Sequence, residues 1–572
     1  MYKIPYGISN FEKIRDEGFI YVDKTHYLYK LESLAHIIHL RPRRFGKSLF
    51  LSMLEAYYDV AGIEKYERLF KGLYVYENPT PYQGQYYVLR FNFSGIGNMR
   101  EGDISSGFTQ NVEFGIERFV FKYQLPITIK EGLSAAAQIK SFFVQFEKLK
   151  LKHKVYVLID EYDHFTNTLL TGDGQAFLKL LTKGGFVRAF YEVLKESSEK
   201  GILDRLFITG VMSVTLDSMT SGFNIATNIT TRSTYAELMG FTAEEVKQLL
   251  NLTYRHSSDL GKTVEISKTC QSKMYDIFKT HYNGYLFSAD SDIRVFNSTL
   301  IMYFMSHYID TLRAPDTLVD DNLNQTGQTI ENIVSLKNQE TNLSIIELII
   351  QNNQVGGTLQ PFIKIDTKFD ENDLITLLFN IGMLTIKKRE METIFEMPNH
   401  IIKTIYFEYL KNVYEKNSSY VLSLSQQKRA ITQLGNIGDV GPLTELVSEF
   451  LSKTSARSKI KFDEKYIKLV YLMLLSYTNQ LHIYDEFPAL QGYSDVFIQK
   501  GPNSYATYEV LIELKYIKIS ETTDALIEAR VKEGTQQIRE YMQDSRIAKR
   551  ENLKCYVIVF SGFEVVRIDE IL

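Results

Sequence analysis

Residues 40–49, with the sequence LRPRRFGKSL, bring Gly46, Lys47 and Ser48 between an apolar run and an amphipathic one. The run AHIIHL (35–40) has the composition of a buried strand, and KSLFLSMLEAYYDV has the apolar spacing of a helix. A loop between such elements offers backbone N–H groups, a lysine and a hydroxyl, which suit phosphate oxygens and Mg²⁺. The stretch therefore predicts a strand, a phosphate-binding loop and a helix, the opening unit of an α/β fold.

Arg41 departs from the usual pattern G-x-x-x-x-G-K-[ST], because it stands where the first glycine is expected. Pro42 can fix an unusual path for the loop. Arg43 and Arg44 either add positive charge near the phosphates or face solvent. A Gly-Lys-Ser triplet is common by chance, so the loop alone leaves an ordinary surface turn as an open alternative.

A second motif, VYVLIDEYD, is an apolar run that ends in Asp160 and Glu161. A buried strand delivers such carboxylates to its C-terminal edge, where α/β sheets bind ligands. Asp160 would hold Mg²⁺ through water, and Glu161 would orient and deprotonate the attacking water. The alternative is a buried strand that merely ends in an acidic surface turn. The upstream loop favours the nucleotide interpretation, with ATP and Mg²⁺ as ligands.

A third strand, RLFITGVMS (205–213), is expected beside the second, and its end should carry a polar sensor of the γ-phosphate. Thr209 and Ser213 are the candidates, and no arginine finger can be assigned. Ser48 and Asp160 are the predicted Mg²⁺ ligands. The full set of predicted nucleotide contacts is Arg41, Arg44, Phe45, Gly46, Lys47, Ser48, Leu49, Asp160 and Thr209.

The chain has 572 residues, more than one hydrophobic core accommodates. Strands alternate with helices at first, and a helical pattern with a Thr242–Glu245 capping box follows. Residues 371–399 have the order helix, strand, charged turn and strand, typical of a winged-helix-like unit, and SKTSARSKIK (452–461) is a predicted hinge. We predict four segments: an α/β nucleotide-binding core (1–235), a helical lid (236–320), a winged-helix-like and helical middle (321–455) and a C-terminal α/β domain (456–572).

The last segment contains YEVLIELKYI, in which side chains alternate between faces with a period of two. Glu513 and Lys515 therefore share one face. A hairpin turn around KGPNS would bring Asp495, on the strand SDVFIQ, beside them. Asp495 and Glu513 would bind Mg²⁺ beside a scissile phosphate, while Lys515 would position water or stabilise negative charge. The alternative is an ordinary cross-strand ion pair.

Short motifs of a recognisable kind run along nearly the whole chain: IPYGISNFEKIRDEGFIYVDKTHYL (4–28), RPRRFGKSL (41–49), VLIDEYD (157–163), GFTAEEV (240–246), HYNGYLF (281–287), LLFNIGMLTI (377–386) and MPN (397–399). They resemble those of the bacterial AAA-ATPase-like proteins that carry a C-terminal PD-(D/E)XK nuclease-like domain. The resemblance implies a multidomain α/β chain: an AAA-like P-loop NTPase parallel sheet, a helical lid, a winged-helix-like middle and a restriction-endonuclease-like α/β domain. It also implies that the Arg-Pro loop is usual and that Tyr21, Asp23 and Lys24 lie near the nucleotide.

The family's nuclease pattern matches further positions in the last segment. Glu464 opens a helix and would reach toward the metal. Gln537, in EGTQQIREYM, would support the site, with Gln536 as the alternative, and Glu486 would be another nearby acid. Ser494 stands where the pattern has a proline. The predicted catalytic residues are Glu161, Asp495, Glu513, Lys515, Glu464 and Gln537, with Asp495 and Glu513 as metal ligands.

Composition restricts the function classes. The formal net charge is −4, so no global basic field points to nucleic acid or anionic membrane; from residue 460 onward, 14 Lys and Arg stand against 17 Asp and Glu. Cys270 and Cys555 form no C-x-x-C pair, so we expect no disulfide framework or cysteine zinc site. The N-terminal residues lack the apolar stretch of a secretory signal, and no run of about 18 apolar residues occurs. We expect a cytoplasmic protein without a membrane span.

The sequence favours an enzyme in which ATP binding or hydrolysis gates a Mg²⁺-dependent phosphodiesterase that acts on nucleic acid, with DNA as the favoured polymer. Genome defence and mobile-element biology are settings that suit such a protein. The alternative is a nucleotide-dependent signalling or assembly protein whose nuclease-like domain docks without cutting. The expected partners are ATP and nucleic acid, and a homo-oligomer stays open.

Overall fold

A computed structural model gives the architecture of the chain, and it divides the chain into two compact units. The N-terminal unit comprises 1–312, 320–345 and 354–400, and the C-terminal unit comprises 313–319, 346–353 and 401–572. The four predicted segments stay a prediction. The described residues are 1–96, 101–164, 185–213, 225–256, 262–319, 325–336, 338–361, 363, 369–418, 420–454, 463–476, 481–484, 487–488, 493–501 and 504–571.

A five-stranded parallel sheet organises the N-terminal unit, with the strand order β2-β3-β4-β1-β5. Apolar side chains fill these strands, and the central ones are buried almost throughout, as in parallel sheets covered on both faces. The order places β4 between the strand before the phosphate loop and the strand that ends in Asp160. The strands are β1 (His36–Leu40), β2 (Tyr86–Asn92), β3 (Lys154–Asp160), β4 (Leu203–Gly210) and β5 (Thr227–Asn228).

Helices join and cover these strands. The helix that follows the loop, α3, packs on β2 and β3, while α6 packs on β2 and α8 on β4. The helices up to this point are α1 (Phe11–Asp16), α2 (Tyr27–Leu31), α3 (Lys47–Tyr58), α4 (Tyr66–Phe70), α5 (Tyr74–Glu77), α6 (Glu101–Tyr123), α7 (Ala135–Lys148) and α8 (Gly185–Glu199), with a 3₁₀ turn at Val60–Lys65.

The predicted helical segment after the sheet is present. Its first helix begins with the predicted capping box, since Thr242 accepts from the Glu245 N–H and Glu245 accepts from the Thr242 N–H. The helices are α9 (Ala243–Leu250), α10 (Lys268–His281) and α11 (Ser298–Thr311), and a short hairpin is formed by β6 (Thr253–Arg255) and β7 (Thr263–Glu265). A 3₁₀ turn at Ser233–Tyr235 precedes them.

The helix, strand, turn and strand predicted for 371–399 are also present. A second capping box, from Asp370 and Asp373, starts the helix. The sheet has three strands in the order β8-β10-β9, and its first strand was not predicted. The elements are α12 (Gln325–Ser335), α13 (Gln339–Asn352), β8 (Gln354–Gly357), α14 (Glu371–Asn380), β9 (Thr385–Arg389) and β10 (Thr393–Glu396).

The C-terminal unit is built on a mixed sheet with the order β11-β14-β15-β16-β17. β14 and β15 pair antiparallel, which confirms the predicted hairpin, and β16 pairs parallel to β15. The strands are β11 (Leu481–Tyr484), β12 (Phe487–Pro488), β13 (Tyr493–Ser494), β14 (Val496–Lys500), β15 (Glu509–Ile517), β16 (Leu553–Ser561) and β17 (Glu564–Glu570).

Helices cover this sheet, with α18 against β11 and β15, and α19 against β15 and β16. They are α15 (His400–Ser418), α16 (Leu424–Ile437), α17 (Gly441–Thr454), α18 (Glu464–Leu475), α19 (Asp524–Tyr541) and α20 (Ser545–Ala548), with a 3₁₀ turn at Ile519–Glu521. The predicted hinge at 452–461 extends into residues 455–462, which lie outside the described ones. The two sheets confirm the predicted multidomain α/β class.

Length and hydropathy distinguish membrane-spanning helices from others. Within the described ranges, no helix combines the length and the apolar character that a bilayer crossing requires.

Candidate nucleotide and carboxylate sites

The phosphate loop lies between β1 and α3, as predicted. Gly46 has a φ of 86°, a left-handed conformation that glycine adopts without strain, and it caps the helix that starts at Lys47. The ammonium of Lys47 donates to the carbonyl oxygens of Arg41 at 3.0 Å and Pro42 at 2.9 Å. Burial lowers the pKa of Lys47 to about 8, against the opposing effect of nearby carboxylates. The loop thus curls around the lysine that is predicted to bind phosphate.

Arg41 bonds within the protein framework, and its predicted contact with the nucleotide stays a prediction. Its guanidinium is buried and donates to the backbone carbonyls of Leu40, Thr230, Tyr235 and Ala236. It also stacks 4.1 Å from the ring centroid of Phe287. Burial lowers the pKa of Arg41 to about 9. Because carbonyls and an aromatic face surround its charge, Arg41 belongs to the framework that holds the loop. Among the described residues, it does not line the cavity of about 580 Å³ that opens above the loop.

Asp160 ends β3 and meets Ser48. Its carboxylate is buried, and the Ser48 hydroxyl is near enough to lower the pKa of that carboxyl group. Arg90 lies 3.5 Å from Oδ2, whereas Oδ1 has no hydrogen-bond partner among the residues that the structure describes. Burial raises the pKa of Asp160, and Ser48, Arg90 and Lys47 partly offset that rise. A buried carboxylate oxygen that receives no hydrogen bond usually has an unseen partner. Together with the nearby hydroxyl, it provides oxygen ligands of the kind that Mg²⁺ prefers.

Glu161 follows directly and has a φ of 50°. This left-handed conformation is unusual for a side chain other than glycine, and such residues cluster at functional sites. The carboxylate lines the cavity and lies 3.1 Å from His164 Nδ1. The hydrogen bond from His164 holds the pKa of Glu161 below its usual value. Glu161 is therefore ionised near neutral pH, as a general base has to be.

The two sensor candidates at the end of β4 are both occupied by hydrogen bonds. Thr209 is buried and donates from its hydroxyl to the His39 carbonyl at 2.8 Å, across to β1. Ser213 accepts from the Asn380 amide at 3.1 Å. Among the described residues, neither of the two lines the cavity above the phosphate loop. The geometry of Thr209 suits strand pairing, and its sensor role stays a prediction.

Sequence reasoning missed Asp163. Its buried carboxylate accepts from the backbone N–H groups of Val211, at 3.1 Å, and Met212, at 2.7 Å. It therefore fixes the chain that leaves β4 against the end of β3. The acidic run DEYD carries the residue, but only the adjacency of β3 and β4 shows its partner.

A cavity of about 580 Å³ opens above this loop, within the size range of small-molecule sites. Apolar side chains from the N-terminal segment and from 238–241 line it, together with Glu161 and Asp163. Tyr21 and Lys24 also line it, as the resemblance implies, whereas Asp23 instead accepts from the Thr25 and Tyr74 N–H groups. From the predicted contacts, the lining includes Arg44, Phe45, Gly46, Lys47, Ser48 and Leu49.

Lys24 joins two walls of this cavity. Its ammonium lies 2.7 Å from Glu245 Oε1 and donates to the Glu237 carbonyl at 2.9 Å. Glu245 also caps α9 through the Thr242 N–H. Burial lowers the pKa of Lys24, although the Glu245 carboxylate opposes the shift. The ion pair therefore connects the YVDKT motif to the GFTAEEV motif.

In the C-terminal unit, the predicted acidic residues and lysine converge. Glu513 and Lys515 are both almost completely buried on one face of β15, and Lys515 Nζ donates to Glu513 Oε1 at 2.8 Å. Lys515 also donates to the Leu514 carbonyl at 3.0 Å. Asp495, between β13 and β14, accepts from the Leu514 N–H at 2.9 Å. Glu464 opens α18, and its carboxylate lies 4.0 Å from Lys515 Nζ.

These charges are strongly coupled. Burial raises the pKa of Glu513 to about 7, reinforced by the negative charge of Asp495 and opposed by Lys515. Burial also raises the pKa of Glu464. Asp495, Glu513 and the Leu514 carbonyl are hard oxygen donors of the kind that Mg²⁺ prefers. Within the described part of the chain, no group of three or more His, Cys, Asp or Glu side chains is arranged to hold a metal.

Helix α19 closes this site from one side, with two residues that sequence reasoning missed. The Tyr541 hydroxyl donates to Glu513 Oε2 at 3.3 Å. A Cβ added to Gly534 would come within 2.7 Å of Val557 and 3.5 Å of Glu513 Cγ, so glycine permits the close approach of helix and sheet. The Gln537 side-chain oxygen is buried, with no hydrogen-bond partner among the described residues, while Gln536 bonds Glu540.

Residue Glu486 lies outside the described residues, so its predicted proximity to the metal has no structural counterpart here. Of the predicted set, the structure brings together Asp495, Glu513, Lys515 and Glu464.

Two family models match regions of the chain that contain the two candidate sites. Residues 5–220 match the family model described as a predicted AAA-ATPase, and residues 462–570 match that of the PD-(D/E)XK nuclease superfamily. The chain thus carries an AAA-ATPase-like region followed by a PD-(D/E)XK nuclease-like region, which confirms the architecture predicted from the motifs.

One curated relative is similar to part of the chain. Over 253 residues the chain is 32% identical to an uncharacterised protein from the vnfD 5′ region of Azotobacter chroococcum mcd 1. The match covers 43% of this chain and 44% of that protein, so the chain spans less than half the length of this relative.

Proposed function

We propose that the chain is an ATP-binding and ATP-hydrolysing switch coupled to a Mg²⁺-dependent phosphodiesterase that acts on nucleic acid, with DNA as the favoured polymer. The observation that carries the proposal is the pair of Glu513 and Lys515 on one buried face of β15, with Asp495 bonded to the Leu514 N–H between them. Structural ion pairs are usually exposed, because removing charges from water is costly. A buried cluster of charges is therefore a candidate functional site.

At the nucleotide site, each residue has one task. Lys47 leaves the loop carbonyls and binds phosphate oxygens, and the N-terminus of α3 directs its positive end at the same charge. Glu161 accepts a proton from the attacking water. Ser48 and Asp160 would hold Mg²⁺, which neutralises charge on the phosphates. Thus the cavity suits a nucleoside triphosphate.

At the carboxylate site, Asp495, Glu513 and the Leu514 carbonyl would hold Mg²⁺, which polarises a scissile phosphodiester. Lys515, which now bonds Glu513 and the Leu514 carbonyl, would stabilise negative charge that develops on the phosphate or orient the attacking water. Glu513 has to be ionised for this work. With a pKa of about 7 it is partly protonated at neutral pH, and an approaching cation favours its ionised form.

The test is a cleavage assay with Mg²⁺ or Mn²⁺ on single- and double-stranded DNA and RNA. Glu513→Ala and Lys515→Ala should each abolish metal-dependent cleavage and leave ATP binding intact. Glu521→Ala and Lys518→Ala are the matched controls, because they remove an exposed Glu–Lys pair close by on the chain. Equal cleavage by the wild type and both site variants would reject the assignment.

A docking domain without nuclease activity is the second candidate, and one observation favours it. Both oxygens of Glu513 accept hydrogen bonds, from Lys515 and Tyr541, in a side chain that is almost fully buried. A cluster closed in this way keeps its fold without a metal. Failure of the wild type to cut any substrate, together with no Mg²⁺-dependent change in its melting temperature, would establish this candidate.

We further propose that the nucleotide state gates the nuclease-like unit, in a cytoplasmic setting such as genome defence or mobile-element biology. The Lys24–Glu245 pair supports a role for the predicted lid, because it joins two walls of the cavity. Cleavage by Lys47→Ala should lose its dependence on added ATP. A cleavage rate that ATP never affects in the wild type would refute the coupling alone.

A further inference from the structure

The turn at the end of α14, at Asn380–Gly382, lies against the phosphate loop. Gly382 has a φ of 83°, and a Cβ built on it would lie 3.0 Å from Pro42 Cβ and 3.1 Å from Pro42 Cγ. Such distances are shorter than ordinary contacts between carbons. Glycine is therefore required here for two reasons, the left-handed backbone and the closeness of the proline ring.

Pro42 connects this turn to the lysine of the nucleotide site. Its ring faces Gly382, while its carbonyl oxygen accepts from Lys47 Nζ at 2.9 Å. A displacement of Pro42 therefore changes the position of the oxygen that holds the ammonium. Two contacts separate the turn from the group that is proposed to bind phosphate.

The same turn reaches the end of β4. Asn380 is buried and donates from its side-chain amide to the Ser213 hydroxyl at 3.1 Å. Ser213 directly follows Met212, whose N–H is held by Asp163 next to the predicted catalytic base. The turn thus contacts the residue that follows β4 by three positions as well as the loop that follows β1.

A third contact runs through aromatic rings. Phe379 lies 6.1 Å from Phe287 between ring centroids, and Phe287 carries the Arg41 guanidinium at 4.1 Å. Phe45 of the loop packs edge-on against the same ring at 5.4 Å. Two motifs that the proposed chemistry leaves unused, HYNGYLF and LLFNIGMLTI, meet the RPRRF part of the phosphate loop in this cluster.

We propose that the turn Asn380–Gly382, together with the preceding Phe379 of α14, positions the phosphate loop and responds to nucleotide binding there. Residues 354–400 are then part of the nucleotide site. Asn380 and Gly382 are the positioning residues, acting through Ser213 and Pro42. The inference rests on the proposed binding of ATP and adds the element that senses it. Nucleotide that draws Lys47 away from the Pro42 carbonyl removes one restraint on Pro42, and the turn is the element that Pro42 touches.

Substitution at Gly382 tests the positioning role with a control of equal backbone strain. Gly382→Ala adds a Cβ against Pro42, whereas Gly72→Ala adds one at a φ of 80° with nothing within 4 Å. We expect Gly382→Ala to bind ATP about tenfold more weakly and Gly72→Ala to bind it within about twofold of the wild type. Equal affinities in the two variants would overturn the positioning role.

A milder pair keeps the test usable if Gly382→Ala does not fold. Asn380→Ala removes the bond to Ser213, and Asn372→Ala removes a bond on the same helix, to the Thr358 N–H at 2.7 Å. Only Asn380→Ala should weaken ATP binding, by about threefold to tenfold. An equal loss in both variants would indicate a general effect on α14 and overturn the specific role.

Hydrogen exchange in the wild type tests the response to nucleotide. The amides of Ile381, Gly382, Met383 and Leu384 bond to carbonyls at the end of α14. Saturating ATP should change their exchange rates severalfold, while the amides of α7 stay unchanged. Binding of ATP without any change at 381–384 would overturn the inference and leave the proposed function standing. A wild type that fails to bind ATP would overturn the proposed function itself.

Discussion

The two sites use their lysines in opposite ways. Lys47 has carboxylates nearby, yet its hydrogen bonds go to two backbone carbonyls, and Asp160 Oδ1 keeps no partner among the described residues. Lys515 donates directly to Glu513, and Tyr541 occupies the other oxygen. The nucleotide site therefore offers a cation and a carboxylate separately. In the nuclease-like site, the two charges neutralise each other.

This difference bears on how each site is activated. A neutral carbonyl holds an ammonium weakly compared with a phosphate, so ligand binding alone can release Lys47. The Glu513–Lys515 pair is buried, and separating it requires a cation or a proton to replace the partner. We infer that the first site responds to nucleotide without a barrier of this kind, while the second is inactive until metal and substrate arrive.

Removal of the Lys47 charge should have the largest effect. Lys47→Ala deletes charge-assisted hydrogen bonds to phosphate, worth about 3 kcal/mol, so ATP affinity should fall by about two orders of magnitude. An equilibrium titration measures the change. Lys65→Ala, which removes an exposed pair with Glu12, is the control. Unaltered affinity in Lys47→Ala would contradict the loop assignment and remove one side of the comparison.

The pH dependence of stability tests the carboxylate site, the second of the two sites compared. Glu513 has a folded-state pKa of about 7 against an ordinary value of 4.5. A raised pKa gives stability that is fully present below pH 4.5 and is lost as the pH rises through 7. Over that window the loss amounts to about 3 kcal/mol relative to a residue that does not titrate.

Glu513→Gln supplies that residue, because it keeps the shape and removes the charge. Unfolding of the wild type and of Glu513→Gln should be followed at several pH values between 4 and 8. The variant should gain stability over the wild type as the pH rises, most steeply between 5 and 7. If the two proteins have the same dependence of unfolding free energy on pH, Glu513 is solvated and does not form the buried pair with Lys515 in solution. Added Mg²⁺ should stabilise the wild type only.

Arg41 tests the framework around the loop and should have an intermediate effect. Arg41→Lys cannot satisfy four carbonyls at once, so we expect about 2 kcal/mol less stability. Since the guanidinium is absent from the cavity lining, affinities for ATP and ADP should fall by the same factor, about tenfold. A selective loss of ATP binding would instead support a direct contact with the γ-phosphate.

Much of the fold follows from local patterns, and the exceptions have physical reasons. β3 is an uninterrupted apolar run and β15 is mostly apolar, so their bounds are predictable within a few residues. β8 has the sequence QVGG, whose glycines have low strand propensity. β17 is an edge strand with half-buried side chains, so its pattern of alternation is weak.

The site residues also separate into those that the sequence predicts and those that only the fold brings together. Lys47 and Asp160 belong to contiguous motifs, so their positions follow from sequence. Asp163 and Arg41 bond to residues about 50 and 190 positions away, which only the strand order brings near. Tyr541 has a signal that was available, since it stands four residues after Gln537 on the same helix face.

Substitution of Thr209 should have the smallest effect on stability. It tests whether Thr209, at the end of β4, senses the γ-phosphate or only bonds to β1. Thr209→Val keeps the volume and removes the hydroxyl that donates to the His39 carbonyl, at a cost of about 1 kcal/mol in stability. If the hydroxyl serves strand pairing alone, the rate of ATP hydrolysis should stay within about twofold, and Thr209→Ser should restore the stability. A large drop in the rate in Thr209→Val, with ATP affinity unchanged and recovery in Thr209→Ser, would instead establish the sensor. The hydroxyl would then have to turn from β1 toward the phosphate, so the nucleotide site would have a further internal bond to break before it acts, besides those from Lys47 to the loop carbonyls.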